Sequence, residues 1–138
     1  MPLQITLKPK ERLFIGGAVL TNGGATCRIN VINDVPILRE KEILTDKTAD
    51  TPCSLIYLAI QLMYMDEKNL EKYQKIYWDL VRDVMNAAPS TIFFIDLISK
   101  EILANRYYRA LKQAQKLITY EKELTQHVIE SDKGIRKR

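Results

Sequence analysis

At Thr51-Pro52 the hydrophobic texture of this chain changes period, and that change separates what its two parts can fold into. Before it, short apolar runs alternate with polar residues and are punctuated by glycine pairs. Leu3-Gln4-Ile5-Thr6-Leu7 has the period of two that a half-buried strand requires. Pro9 then interrupts pairing, as at a strand end or edge. Further strands are expected at Arg12–Ile15, Ala18–Thr21, Thr26–Val31 and Val35–Leu38, the last at an edge because Pro36 lacks a donor. Gly16-Gly17 and Asn33-Asp34 read as turns, and Asn22-Gly23-Gly24 as a hairpin connection between the strands flanking it. Five short strands in so little chain suggest a small barrel or sandwich.

After the change the period is helical. Thr51 is a good N-cap, and Pro52 suits the first helical position, where its missing N–H costs nothing. The run Leu55–Met65, broken only by Gln61, has the length of a buried core helix and is too short to span a membrane. Leu70, Tyr73, Tyr77, Leu80 and Val84 recur at helical spacing in a second helix, which Pro89 ends. Ser90 can cap a third helix through about Leu103, and Asn105-Arg106 mark a break before a fourth. There Tyr107, Leu111, Ala114 and Ile118 form one stripe, extended by Leu124 and Val128, beside a basic stripe of Arg109, Lys112 and Lys116. Adjacent Tyr107 and Tyr108 point about 100° apart on a helix, so both rings do not easily enter one core, and one is expected at a partner surface. The expected fold class is α+β. A small N-terminal antiparallel β-domain covers 1–48, a bundle of about four helices covers 51–130, and a flexible basic tail covers 131–138.

Composition excludes more than it selects. With 46% apolar and 28% charged residues, the 138-residue chain has the balance of a single soluble domain. The N-terminus lacks the basic and apolar segments of a secretory signal, which points to the cytosol. The net charge of +4 equals the contribution of Lys133, Arg136, Lys137 and Arg138, which leaves a neutral body. Cys27 and Cys53, the only cysteines, read as reduced, partly buried side chains, and His127, the single histidine, stands far from both. Neither a catalytic triad nor a metal site can be assembled from such a set, and neither glycine pair has phosphate-loop spacing. The position of Cys53 at a helix start can lower a thiol pKa, but no basic partner accompanies it. No catalytic residue, metal or cofactor is expected.

The ordered segments carry a resemblance. Leu3-Gln4-Ile5-Thr6-Leu7-Lys8-Pro9-Lys10-Glu11-Arg12, Ile15-Gly16-Gly17-Ala18-Val19 and Leu38-Arg39-Glu40-Lys41-Glu42-Ile43-Leu44 come first. Thr51-Pro52, Ile60-Gln61-Leu62-Met63-Tyr64, Tyr107-Tyr108-Arg109-Ala110-Leu111 and Lys116-Leu117-Ile118-Thr119-Tyr120-Glu121 follow. In this order they resemble the flagellum biosynthesis repressor family, FlbT, over roughly residues 1 to 125. The family pattern usually has glycine where Lys10 stands, which puts the geometry of that turn in question. The resemblance implies a post-transcriptional regulator that associates with the untranslated leader of flagellin mRNA, usually as a repressor and in some members as an activator. It also implies association with a second small flagellar regulator of the FlaF type, or with flagellin itself. Under that alternative the helices bind protein, RNA is reached only through the partner, and Tyr107, Tyr108, Arg109, Lys112 and Lys116 are the contact residues.

A fainter resemblance bears on mechanism. Leu3, Ile5, Lys8, Glu11, Leu13, Ile15, Gly16 and Ile37-Leu38-Arg39-Glu40 are similar to the pattern of the carbon storage regulator family, CsrA, which binds leader RNA with its first and last strands. Carried over, the resemblance places Ile5, Lys8, Ile37 and Arg39 at RNA-contacting positions, although Leu7 stands where that family carries arginine. Arginine suits the role because its planar fork pairs with phosphate or a guanine edge. Lys8, Arg12, Arg28 and Lys41 could add phosphate contacts. A homodimer is the further expectation, from this resemblance and from the many strands a small β-unit leaves open.

Overall fold

A computed structural model describes residues 3–136, with side chains through Val128. The chain divides into two compact units, one ending at Ile43 and the other beginning at Leu44. The architecture is α+β, with antiparallel strands followed by helices. No helix among the described residues is long and apolar enough to cross a membrane.

The first unit holds β1 (Leu3–Leu7), β2 (Arg12–Ile15), β3 (Ala18–Thr21), β4 (Cys27–Val31) and β5 (Ile37–Arg39), followed by a 3-10 turn at Glu40–Glu42. The strands form two antiparallel sheets, β1-β4 and β3-β2-β5. Ile5, Leu7 and Leu13 are buried together, with Ile15, Ile29, Val31 and Ile37 packed around them, so both sheets feed one apolar layer. The alternation read in Leu3–Leu7 is borne out in burial, since Ile5 and Leu7 are inside while Gln4 and Thr6 face solvent.

Two local readings change. Asn22-Gly23-Gly24 does not close a hairpin, because β3 pairs with β2 and β4 pairs with β1. The hairpin is built one turn earlier, where Gly16 (φ 55°) and Gly17 (φ 92°) fill the two-residue loop between Ile15 and Ala18. Positive φ at both loop positions gives the turn whose twist matches the strands, and glycine adopts it without a Cβ penalty. Asn22 instead acts as a clasp, donating through Nδ2 to the carbonyls of Leu7, Lys8 and Ala25 at 3.0, 3.1 and 3.0 Å. Its Oδ1 accepts from the Gly24 N–H at 3.0 Å. Signals based on dipeptides favour nearest neighbours, whereas here a side-chain amide joins segments about fifteen residues apart. The fifth strand is Ile37–Arg39, beginning after Pro36. Lys10 adopts the left-handed geometry (φ 66°) that a glycine would take more cheaply, so the turn keeps its form.

The second unit holds α1 (Pro52–Met65), α2 (Leu70–Ala87), α3 (Ile92–Leu103) and α4 (Tyr107–Arg136). Thr51 caps α1 reciprocally: the Ser54 N–H donates to its Oγ1, and the Thr51 N–H donates to Ser54 Oγ. Helix α1 packs against both α2 and α4, and α3 packs on α4. That central place explains why α1 is apolar nearly all round, with Ile56, Ile60 and Met63 fully buried. Gln61, the one polar break, is also buried and pairs with the Leu44 backbone through two 2.9 Å bonds, as a strand neighbour would. Pro89–Thr91 forms a 3-10 turn in which Thr91 Oγ1 donates to the Ala88 carbonyl, so Ser90 does not cap α3. The break at Asn105 is a left-handed helix stop (φ 59°), closed by Asn105 N–H to Ile102 O and Arg106 N–H to Glu101 O. Backbone of α4 is helical through Arg136, and the side chains of the expected basic tail lie outside the described residues.

Candidate nucleic-acid interface

Arg39 ends β5, an edge strand opposite Leu13 of β2. Its side chain is one-third exposed, and Nη1 donates to the Thr6 carbonyl of β1 at 3.2 Å. The Glu11 carboxylate lies 3.7 Å from the same nitrogen and also accepts from the Lys8 N–H at 3.0 Å. The Arg39 N–H donates to Glu42 Oε1 at 3.0 Å. Arginine carries five donors in a fixed fork, and these contacts engage Nη1 alone. The guanidinium is thus held between the Thr6 carbonyl and the Glu11 carboxylate, with part of its charge offset and about a third of the side chain exposed.

The pairing places the expected residues on different faces of the β unit. Thr6 is opposite Arg28 and Gln4 opposite Asn30, and directly opposed residues share a face, so these four exposed side chains form one polar surface on β1-β4. Lys8 is exposed just past β1 and is tied to Arg39 through Glu11. Ile5 is different: its side chain is buried, which leaves only its backbone for an outside contact. Ile37 is half-buried in the same apolar layer. Arg12 is exposed, but the pleat sends it to the opposite face of its sheet from Leu13 and Arg39. Lys41 is exposed on the 3-10 turn. Glu11 is the organising residue that strand patterning gave no reason to single out. Its signal was its position in the turn with Lys8 and Lys10, which alone does not reveal a partner in β5.

In the helical unit, Arg109, Lys112 and Lys116 lie along the exposed side of α4, with Ala110, Leu111, Ala114, Leu117 and Ile118 buried beneath. The Tyr108 ring is 5.9 Å from that of Tyr64 on α1, and Lys112 Nζ stands 4.9 Å over it. Tyr107 is half-buried and donates to Asn105 Oδ1 at 3.2 Å. The adjacent tyrosines do diverge, and Tyr108 is the more exposed. An apolar groove of about 510 Å³ between α2 and α3, lined by Trp78, Val81, Met85, Ile92 and Ile95, was not singled out by sequence reasoning. Exposed Trp78 and Ile92 look like ordinary core positions on a helical wheel.

The two cysteines are free and sit in different settings. Cys27 is exposed, contrary to the expectation of partial burial, because β4 is an outer strand. Cys53 is buried, and burial followed by the nearby Glu121 carboxylate pushes its thiol up to about 12. The same carboxylate accepts the Cys53 N–H at 3.1 Å, so α4 supplies an anion to the N-terminus of α1. The helix start therefore does not lower this thiol pKa. Among the described residues no group of three or more His, Cys, Asp or Glu side chains could hold a metal ion.

A family model described as flagellar protein FlbT matches residues 3–125. The chain belongs to the FlbT family. It is 46% identical to a probable flagellum biosynthesis repressor protein FlbT of Bradyrhizobium diazoefficiens, covering 90% of this chain and 85% of that one. It is 41% identical to a FlbT of Rhodopseudomonas palustris carrying the same designation, over 90% and 98% of the two chains. The flagellum biosynthesis repressor protein FlbT of Caulobacter vibrioides is 35% identical over 93% and 92%. No solved structure matches the chain.

Proposed function

We propose that this FlbT-family chain is a post-transcriptional repressor of flagellin synthesis that works in the cytosol and binds the untranslated leader of flagellin mRNA through its β unit. The observation that carries the reading is the partly exposed Arg39 at a sheet edge, its Nη1 held by the Thr6 carbonyl and Glu11, in a unit whose β1-β4 sheet presents an exposed polar face of Gln4, Thr6, Arg28 and Asn30. Strand edges and arginine forks read splayed single-stranded bases, and lysine and arginine neighbours hold phosphate. Such binding needs no chemical step, so repression follows from occupancy of the leader.

Titration of the purified protein with flagellin leader RNA at several salt concentrations tests the reading. Binding is expected to tighten as salt falls, Arg39→Ala to weaken it by about tenfold or more, and Lys8→Ala to reduce the salt slope by about one. Absence of leader preference in the pure protein would overturn direct recognition. A second reading is favoured by the α2-α3 groove and the Tyr108-Lys112 face: the helices hold a FlaF-type regulator or flagellin, and RNA is reached through that partner. Leader binding that appears only in the partner complex would select it.

A further inference from the structure

We propose that the outer edge of β3 is a self-association surface, and that two copies of this chain pair there, strand against strand, in antiparallel register. Strand β3 has a neighbour on one side only, β2, and all four of its residues are exposed. Val19 is 68% exposed and Leu20 42%, and pleating puts them on opposite faces. An apolar edge strand with open N–H and C=O groups is a template for another strand unless a charge, a proline or a cover blocks it. None of these blocks β3, since no charged residue occurs from Gly16 to Cys27 and no proline lies among them.

The register follows from the hairpin. The Asn22 N–H donates to the Glu11 carbonyl at 3.0 Å, one step beyond the Arg12–Thr21 pair, so Asn22 directs its backbone groups at β2. Alternate residues of a strand point theirs to opposite edges, so Leu20 and Ala18 also face β2 while Val19 and Thr21 face outward. An antiparallel copy then exchanges bonds between Val19 and the Thr21 of its mate, and between Thr21 and that Val19, for about four hydrogen bonds in all. The two-fold axis falls at Leu20, which lies against its own copy in a non-hydrogen-bonded pair, where Cα atoms come within about 4.5 Å. Registers that use Gly17 fail, because its φ of 92° takes it out of extended backbone.

A second copy fits this edge because the edge is complementary to itself. Polar donors and acceptors alternate identically on both strands, the two Leu20 side chains cover each other, and the uncharged stretch brings no like charges together. RNA is disfavoured at this edge for the same reason, since no cation is present to hold phosphate. Pairing extends the sheet to β5-β2-β3 and its mate, leaving β5 at each outer edge about 24 Å apart. The pairing does not depend on the RNA reading, which would only gain two Arg39 forks at a defined spacing.

Sedimentation velocity of the full chain across the micromolar range is expected to show a reversible dimer. Leu20→Lys, which opposes two ammonium groups at the axis, should raise its dissociation constant by at least about tenfold. Val19→Pro deletes an outward N–H that the monomer does not use and should also dissociate it, with circular dichroism showing an intact fold in both variants. If either variant unfolds, Leu20→Cys in a Cys27→Ser background decides: it should oxidise rapidly to a disulfide-linked dimer, while Thr26→Cys in that background should not. A chain that stays monomeric throughout this range, a dimer indifferent to Leu20→Lys and Val19→Pro, or a Leu20→Cys protein that fails to crosslink would overturn the proposal.

Discussion

The two units achieve order by different means. Of the buried apolar residues among those described, Ile5, Leu7, Leu13, Phe14 and Leu38 belong to the β unit, while the helical unit contributes eighteen, from Ala49 to Ile118. The β unit depends correspondingly on polar fixings, with Asn22 holding three carbonyls and Glu11 joining Lys8 to Arg39. The helical unit places polar contacts at its ends, as in Thr51, Asn105 and the Glu121 carboxylate at α1, and adds isolated ones inside, as in Gln61 with the Leu44 backbone and Tyr77 with Ser99. A thin core leaves strand edges and polar faces open to recognise something, whereas a thick core makes a rigid support.

That contrast can be broken most forcefully in the helical core. Ile60→Ala removes a fully buried side chain from the central helix and should cost about 2–5 kcal/mol, read as a lowered urea midpoint. A loss below 1 kcal/mol would deny the helical unit its tight packing. Alkaline pH should act on the same unit. Burial pushes the Cys53 thiol and the Tyr77 phenol each up to about 12, against ordinary values of 9.0 and 10.0. Between pH 9 and 12 the unfolded chain releases these protons while the folded chain keeps them. Stability contributed by both groups is therefore present below pH 9 and is lost as pH rises toward 12, by an amount on the order of a few kcal/mol. Cys53→Ala should flatten the early part of this decline, and an unchanged profile would contradict the assignment.

Asn22→Ala should sharpen the comparison from the other side. Removing the clasp is expected to cost roughly 1–3 kcal/mol within the β unit, seen as faster amide exchange at Lys10 and Gly24 with protection in α1 and α4 unchanged. Uniformly faster exchange in both units would show that they do not fail separately. The smallest effect has the opposite sign. Lys10→Gly relieves a left-handed lysine and should stabilise the protein by about 0.5–1 kcal/mol, which a thermal melt resolves.

Much of the fold was legible because periodicity reports burial directly. The alternation of Leu3–Leu7, the Thr51-Pro52 start and the Asn105 stop rest on contacts within a few residues, and each appears where the pattern put it. Asn22 and Glu11 were opaque because their partners are distant in the chain, and a turn signal weighs only neighbours. The site was half legible. Arg39 stands at a sheet edge, while Ile5 turned inward and Arg12 took the other face. Strand residues are assigned to faces only once pairing is known.

By itself the amino-acid sequence determined the order of strands and helices, the membership of the family and the alternation of Leu3–Leu7, since these follow from residue patterns along the chain. Only the tertiary structure decided which strands pair, that Glu11 and Thr6 aim Arg39, and that β3 keeps an open uncharged edge. Pairing and aim are settled by hydrogen bonds between distant segments, whose geometry no local period encodes.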